Sequence, residues 1–462
     1  MKYILIILAM LATILTGCIE DGLETSPSAQ PHFSTDTLSL GLLFTGENSP
    51  TYSLKIYNRH DKILSLSSVS LAEGKYFRIN VDGFSGSTFN NVEIRPNDSI
   101  YVFVEATLPE QGGSPLPIEI TDQLQVTTNG VTQTVIIAAD GQDVDRRTGF
   151  IVDRDTRWTA QLPYQIFDSL VVNPGVTLTL DPGVTLYFHD KAMMHVYGTL
   201  ISSGTTEHPV TLRGDRRGQM AGKITYEIMS NQWSGMVFHP GSENNSFTNT
   251  YVENTANGIT LNDSELTLTN CRLHNSAGNV LTAYNSPVTA EACQLSNAGG
   301  SVIELHGAAH RFNRCTMANY YLFAIPSGAI MDIQHMGPDN ADDGYEAPYT
   351  SVLVSNSIIT GRGAALSATD YAGYDVTFAR CLFSIGGEDD SNFLNTLWDT
   401  DPLLDYDLNM YTFDYSPAPD SPAIGAADPI YDTPQTPTLD ARGRVLDKTL
   451  GCYAPNESDK QE

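Results

Sequence analysis

Apolar and polar residues alternate along most of this chain, and over residues 247–383 the alternation comes back in one fixed phrase. Leu266-Thr-Leu-Thr-Asn-Cys271-Arg-Leu, Val288-Thr-Ala-Glu-Ala-Cys293-Gln-Leu and His310-Arg-Phe-Asn-Arg-Cys315-Thr-Met are three copies, with successive cysteines 22 residues apart. Val376-Thr-Phe-Ala-Arg-Cys381-Leu-Phe is a fourth, 66 residues beyond Cys315, which is three further periods. Val352-Leu-Val-Ser-Asn-Ser357-Ile-Ile carries Ser in the Cys slot, and Thr250-Tyr-Val-Glu-Asn carries Thr upstream.

A period near 22 with Asn, Ser and Gly at the breaks excludes a helical repeat, since no window holds ten residues at helical spacing without Gly or a β-branched run. Short strands separated by turns, one circuit per period, predict a parallel β-helix of about ten to twelve coils. Successive coils stack about 4.8 Å apart, so residues one period apart form a column. Cys271, Cys293, Cys315 and Cys381 then face inward as a structural ladder of small, apolar-tolerant side chains. A straight row of thiols does not surround an ion tetrahedrally, so no metal site is expected there; a disulfide between adjacent rungs is the minority alternative.

Over residues 33–141 the pattern changes to strands separated by turn clusters, among them Tyr52-Ser-Leu-Lys-Ile-Tyr57, Tyr76-Phe-Arg-Ile-Asn-Val81, Ser99-Ile-Tyr-Val-Phe-Val-Glu105 and Gln133-Thr-Val-Ile-Ile-Ala138. Strict alternation over this length predicts an immunoglobulin-like β-sandwich, with no Cys pair to staple it. Ile94-Arg-Pro-Asn-Asp-Ser-Ile-Tyr-Val and the closing Ala139-Asp-Gly resemble exported Ig-like modules of the HYDIN and ASPM type. Nothing in this stretch suggests chemistry, and a spacer or docking module is expected. The charged residues 142–149 read as a linker.

Beyond the linker, Leu170-Val-Val-Asn-Pro-Gly-Val-Thr-Leu-Thr-Leu-Asp-Pro-Gly-Val-Thr-Leu-Tyr-Phe188 feeds short strands through two Pro-Gly corners, and Trp233-Ser-Gly-Met-Val-Phe238 follows. This succession resembles the opening coils of the right-handed parallel β-helix (pectin-lyase-like) superfamily. Asp401-Pro-Leu-Leu, Ser421-Pro-Ala-Ile-Gly-Ala-Ala-Asp428 and Asp440-Ala-Arg-Gly-Arg444 through Gly451-Cys-Tyr-Ala look like the terminal segment of exported proteins of that kind. An open solenoid end exposes unpaired backbone, so this segment is expected to cap it, over a domain of residues 150–455 with a short tail at 456–462. The expected class is all-β: an Ig-like sandwich followed by a right-handed parallel β-helix.

At the other end, Met1-Lys2 precedes a 13-residue apolar run, too short to cross a bilayer, that ends in Leu15-Thr-Gly-Cys18. This resembles the bacterial lipobox, which implies a signal peptide of residues 1–17 and lipidation of Cys18. Three acyl chains exceed the two signals that stable anchoring needs. Ile19-Glu20-Asp21 resembles the surface-export signal of Bacteroidetes lipoproteins, which implies an outer-membrane lipoprotein displayed outward. Residues 18–32 read as a lipidated, flexible tether.

Charge narrows the partners. The formal net charge of -29 argues against nucleic acid, against docking on anionic lipid, and against an anionic polysaccharide unless a divalent cation bridges. A monomer is expected. Six cysteines, one of them lipidated, leave an odd number, with Cys452 the odd one by position.

Enzymes of the resembled superfamily cut acidic polysaccharides with clustered Asp residues on one outer sheet face, sometimes with an Arg base. Those motifs are poorly met: there is no Asn-Thr-Asp and no Trp-Ile-Asp-His, and His306-Gly307 lacks its Arg-Ile-Lys partner. Catalysis is therefore not assigned to any residue. The candidate ligand patch is the irregular segment with Asp339, Asp342, Asp343, Tyr345 and Tyr349, together with Tyr371 and Tyr374 one coil on, where tyrosines beside carboxylates can stack on and hydrogen-bond sugars. Ala341 stands where a calcium loop needs an oxygen, so no cofactor is expected, with Ca²⁺ the one ion such a run could take. Arg314 and Arg380, before their cysteines, are expected outward as surface partners of acids, and the ten His residues are expected to be scattered and ordinary. The reading that follows is a surface module binding glycan or another surface protein without catalysis; a polysaccharide lyase or hydrolase is the runner-up and a structural spacer the third.

Overall fold

The computed structural model describes residues 22–221, 224–334, 350–368, 371 and 375–456. The chain divides into two compact units, 1–143 and 144–462.

In the first unit the alternation of the sequence becomes two sheets around one core. One sheet contains Leu23–Glu24, Ile63–Leu71, Ile118–Thr128, Val131–Gln142 and Thr37–Phe44, with Thr88–Ile94 alongside Ile63–Leu71. The other runs through His32–Phe33, Tyr52–Tyr57, Ser99–Ala106, Phe77–Val81 and Phe84–Gly86. Inward positions such as Leu64, Leu66 and Val126 from one sheet meet Ile56, Val102 and Val104 from the other, all fully buried. Asn129 and Gly130, both at positive φ (50° and 77°), close the longest hairpin in the turn form that suits twisted strands. The expected tether is partly built into this unit: Leu23–Glu24 pairs with Ile63 and Leu64, and Ala29 is buried in the core.

The second unit is a parallel β-helix with three strands per coil. The first sheet stacks Met193–Val196, Gly235–Phe238, Ile259–Asn262, Leu281–Tyr284, Ile303–His306 and Met331–Gln334. The second runs for ten strands from Thr156–Trp158 to Phe393–Leu394. The third stacks Thr185–Phe188, Val210–Gly214, Thr250–Glu253, Arg272–Ser276, Gln294–Ala298, Thr316–Asn319, Ile358–Gly361 and Leu382–Phe383. The long strand Tyr164–Val172 pairs with members of both the first and third sheets and joins them. Residues 145–149, expected as linker, begin the strand Asp145–Val152, which lies parallel on Tyr164–Val172 and starts the solenoid.

The period of the sequence is the register of the sheets: Leu266, Val288, His310, Val352 and Val376 are successive rungs of one column. Between second and third sheets each coil turns on a single residue of positive φ: Asn270, Ala292, Arg314, Asn356 and Arg380, at 47–54°. The side chain of the next slot then accepts the amide that this corner frees from the ladder. Cys293 Sγ accepts from the Cys271 amide at 3.4 Å, and Ser357 Oγ from the Cys315 amide at 3.0 Å. Ser and Cys alternate in this slot because both are small and both can accept. All four ladder cysteines are buried and unbridged, and Cys452 is a fifth free thiol. Gly258, at φ +59°, is required by close approach, since a Cβ there would meet the Val280 carbonyl of the next coil.

The C-terminal segment does more than close an end. It runs back along the outside of the third sheet, where Leu404, Tyr415, Leu446, Leu450 and Cys452 pack on the outward-facing Ala318, Ile358 and Leu382. Its Tyr415 and Tyr453 hydroxyls donate to Asn297 and Gln294 at 2.9 and 2.7 Å. The third-sheet strands under it are buried on both faces, and their outward positions are correspondingly small or apolar.

Candidate functional site

Along the third sheet the outward column changes character. Glu253, His274, Ser296, Ala318 and Thr360 occupy successive rungs, so the face is charged before the covering segment reaches it and bland beneath it. At that transition lies a pocket of about 360 Å³ floored by Glu253, Arg272, His274 and Asn275. Tyr321 and Phe323 form one wall, Tyr411, Phe413 and Asp414 of the C-terminal segment another, with Arg442 and Glu227 at the margins. Phe323 is 40% exposed, and Phe413 lies 5.5 Å from the His274 ring.

The electrostatics are paired throughout. Arg272 Nε is 3.4 Å from Glu253, Arg442 donates to Asp414 at 2.6 Å, and Arg217 lies 3.2 Å from Glu227. Burial opposes the Arg272 charge, but Glu253 more than offsets it, and the guanidinium is held above its ordinary pKa. Burial also opposes the Asp414 charge, yet Ser416 and Arg442 hold that carboxyl below the usual range. His274 is pushed well below the ordinary imidazole value by burial first and by Arg272 second, so it stands neutral beside Ser296, to which it is hydrogen-bonded at 2.8 Å. Hydrolysis of a glycosidic bond needs a carboxyl kept protonated near neutral pH. The pocket instead offers ionised pairs, a neutral imidazole and aromatic edges, which together bind polar, ring-shaped molecules.

The first sheet carries a second polar array. Tyr284 stacks on His306 at 4.7 Å, and Glu304 accepts from Asn279, His306 and Tyr284 at 2.6, 2.8 and 3.3 Å. Asp332 is the next rung after Glu304. A groove of about 370 Å³ adjoins this array, lined by Met193, Met236 and Asn279 among others. The histidines are not all scattered: His195 Nδ1 is 3.1 Å from His239 Nε2, and Tyr197 stacks on His239. They lie 44 residues apart in sequence and meet only because the coils stack.

Of the patch expected from sequence, Asp339, Asp342, Asp343, Tyr345, Tyr349 and Tyr374 lie outside the described residues, as does Cys18. Tyr371 is buried at 2% exposure against Phe378 and Phe393, a core residue rather than a ligand contact. Arg314 is likewise corrected from surface to interior, at 3% exposure, because the C-terminal segment covers it. Arg380 stays at the surface, 3.8 Å from Asp428. Among the described residues no group of three or more metal-ligating side chains forms. The pocket residues Arg272 and His274 were within reach of the sequence: they flank Leu273 in the repeated phrase, where alternation aims them outward, but what would cover them was not readable.

The second unit is a right-handed parallel β-helix. Residues 218–383 match the right-handed beta helix region family. A 72-residue stretch, 15% of this chain, is 38% identical to Protein bark beetle of Drosophila melanogaster, of whose length it spans 2%. Among solved structures, a family 123 glycoside hydrolase from Clostridium perfringens aligns at TM-score 0.17 and 8% identity, over 24% of this chain and 25% of that one. The catalytic domain of a GH87 alpha-1,3-glucanase in complex with nigerose aligns at TM-score 0.16 and 9% identity, over 76% and 86%. Superpositions this loose leave function to the residues themselves.

Proposed function

We propose that this protein is a lipid-anchored cell-surface module, held by Cys18 at the outer membrane, that binds glycan without cleaving it through the pocket on the third sheet. The first unit, read as an Ig-like sandwich, serves as spacer. The observation that carries the proposal is the pairing of every acid lining the pocket with an arginine: Glu227 with Arg217, Glu253 with Arg272, Asp414 with Arg442. Charge so balanced suits hydroxyl-rich ligands, and Phe323 and Phe413 supply faces on which a pyranose can stack.

The test is affinity electrophoresis of residues 19–462 through gels containing neutral and acidic polysaccharides, with and without Ca²⁺. Retardation by a polymer, with no new reducing ends in the gel, supports the reading. Uniform mobility across the panel sinks it and turns attention to a protein partner.

A further inference from the structure

For a chain of net charge -29, the opening coils of the third sheet are unusually basic. Arg146, Gln165, Tyr187 and Arg213 are successive rungs of one outward column, since Arg146 pairs in register with Gln165, Gln165 with Tyr187, and Tyr187 with Arg213. Their neighbours Ile166, Leu186 and Leu212 point inward and are fully buried. Past the end of the last of these strands the chain folds back so that the Arg217 guanidinium lies 5.2 Å from the Tyr187 ring centre and donates to its hydroxyl. Arg216 sits beside it, over the Tyr226 ring at 5.5 Å.

The nearby acids answer only part of this charge. Asp215 accepts from His189 at 2.7 Å and from Gln165 at 3.1 Å, and Glu227 pairs with Arg217 at 3.2 Å. Arg213 has no ion pair or hydrogen bond among the described residues, and its Nε is buried without an acceptor; the Arg217 Nε is in the same state. Two buried guanidinium donors thus flank one tyrosine ring. A buried N–H that finds no acceptor costs about 1–3 kcal/mol, and a planar guanidinium is the side chain best matched to oxyanion geometry.

We propose that Arg213 and Arg217, on either side of Tyr187, form a subsite for an oxyanion carried on a glycan, such as a sulfate ester. This rests on the glycan reading of the neighbouring pocket, to which it is joined directly: Glu227 lines the pocket and pairs with Arg217. The pocket holds a ring and the arginines hold its anionic substituent, so the ligand class is an acidic glycan. The global charge repels such polymers at long range, but within a Debye length of about 10 Å the local arginines decide.

The experiment compares gel retardation by dextran and by dextran sulfate at low ionic strength, for the wild-type protein, Arg213→Met and Phe323→Ala. Met keeps the apolar stem of Arg213 and removes the charge, and a urea unfolding midpoint verifies that the variant is folded. The proposal expects dextran sulfate to retard the wild type more than dextran does, and Arg213→Met to lose about tenfold in affinity for the sulfated polymer alone. Phe323→Ala should weaken retention of both. Equal retention of the two polymers, or no effect of Arg213→Met on a folded protein, overturns the anion subsite while leaving the pocket reading standing. No retention by dextran sulfate overturns the subsite outright, whereas the pocket reading falls only on uniform mobility across the wider panel.

Discussion

Arg314 and Asp432, 118 residues apart, meet in a forked ion pair: Arg314 Nε and one terminal nitrogen each donate to a different Asp432 oxygen at 2.8 Å. The remaining terminal nitrogen donates to the Asp447 carbonyl at 2.7 Å. One side chain on a coil corner therefore ties down two stretches of the C-terminal segment. Burial opposes the Asp432 charge, but Arg314 holds the carboxyl below its usual range.

Replacing Arg314 with Ala leaves Asp432 without its main partner and frees the Asp447 carbonyl. The expected loss is about 2–4 kcal/mol, less than for a fully buried pair because Asp432 is partly exposed. Arg314→Lys should recover little, since an ammonium cannot span both oxygens. Urea unfolding measures both, and limited proteolysis of Arg314→Ala should release the C-terminal segment before the coils. A stability unchanged from wild type would show that the segment is held by its apolar contacts alone.

His310 stands in a column otherwise filled by Leu266, Val288, Val352 and Val376. Its Nε2–H donates to the Gly307 carbonyl at 2.7 Å, and burial pushes its pKa down to about 4. The unfolded imidazole takes a proton near pH 6.5, whereas the folded one resists until about 4. Stability from His310 is therefore full above pH 6.5, drains away as pH falls toward 4, and changes by about 3 kcal/mol over that window. His310→Val, matching its column, should flatten that part of the stability–pH curve. A variant with the same acid slope as wild type would place the sensitivity elsewhere, in His274, His195 or His239.

The five free thiols give a third prediction. Burial pushes Cys381 and Cys452 up to about 12 and Cys293 well above its ordinary value. A thiol reagent at pH 8 should find no reactive cysteine in the folded residues 19–462 and five after unfolding. Cys293→Ser should cost no more than about 1–2 kcal/mol, because Ser357 already fills the same slot and accepts the same amide. Rapid labelling of the native protein would contradict the ladder.

What the sequence carried and what it withheld divide along a physical line. The solenoid was legible because its period is local: every 22 residues the same inward apolar positions and the same corner residue recur, and Leu266 over Val288 over His310 follows from counting. The strands of the first unit were legible for the same reason, at period two. The site was not, because it forms where segments remote in sequence meet. Arg442 reaches Asp414 and the pocket only after the C-terminal segment has crossed the third sheet, and no spacing in the chain encodes that crossing. Arg314 was expected outside for a sound reason, since its corner does face outward, and it is buried by a cover that alternation cannot reveal. Tyr371 was misread because a tyrosine near acids looks like a ligand contact, while its neighbours Phe378 and Phe393 make it part of the core.

Phe323 tests the pocket as a binding surface. It packs edge-on to Tyr321 with centroids 5.6 Å apart and leaves a face open. Phe323→Ala should leave the unfolding midpoint nearly unchanged and weaken glycan retention about tenfold, the size of one stacked ring. Undiminished retention would move the site to the first sheet, where Tyr284→Ala is the corresponding variant.

The most direct measurement of the central claim is glycan retention by Glu253→Gln, followed in the same gel lane with a reducing-end assay. Removing the charge that balances Arg272 at the pocket floor should weaken retention, and no reducing ends should form with either protein. Cleavage by the wild type that disappears in Glu253→Gln would contradict a purely binding role and make Glu253 a catalytic residue.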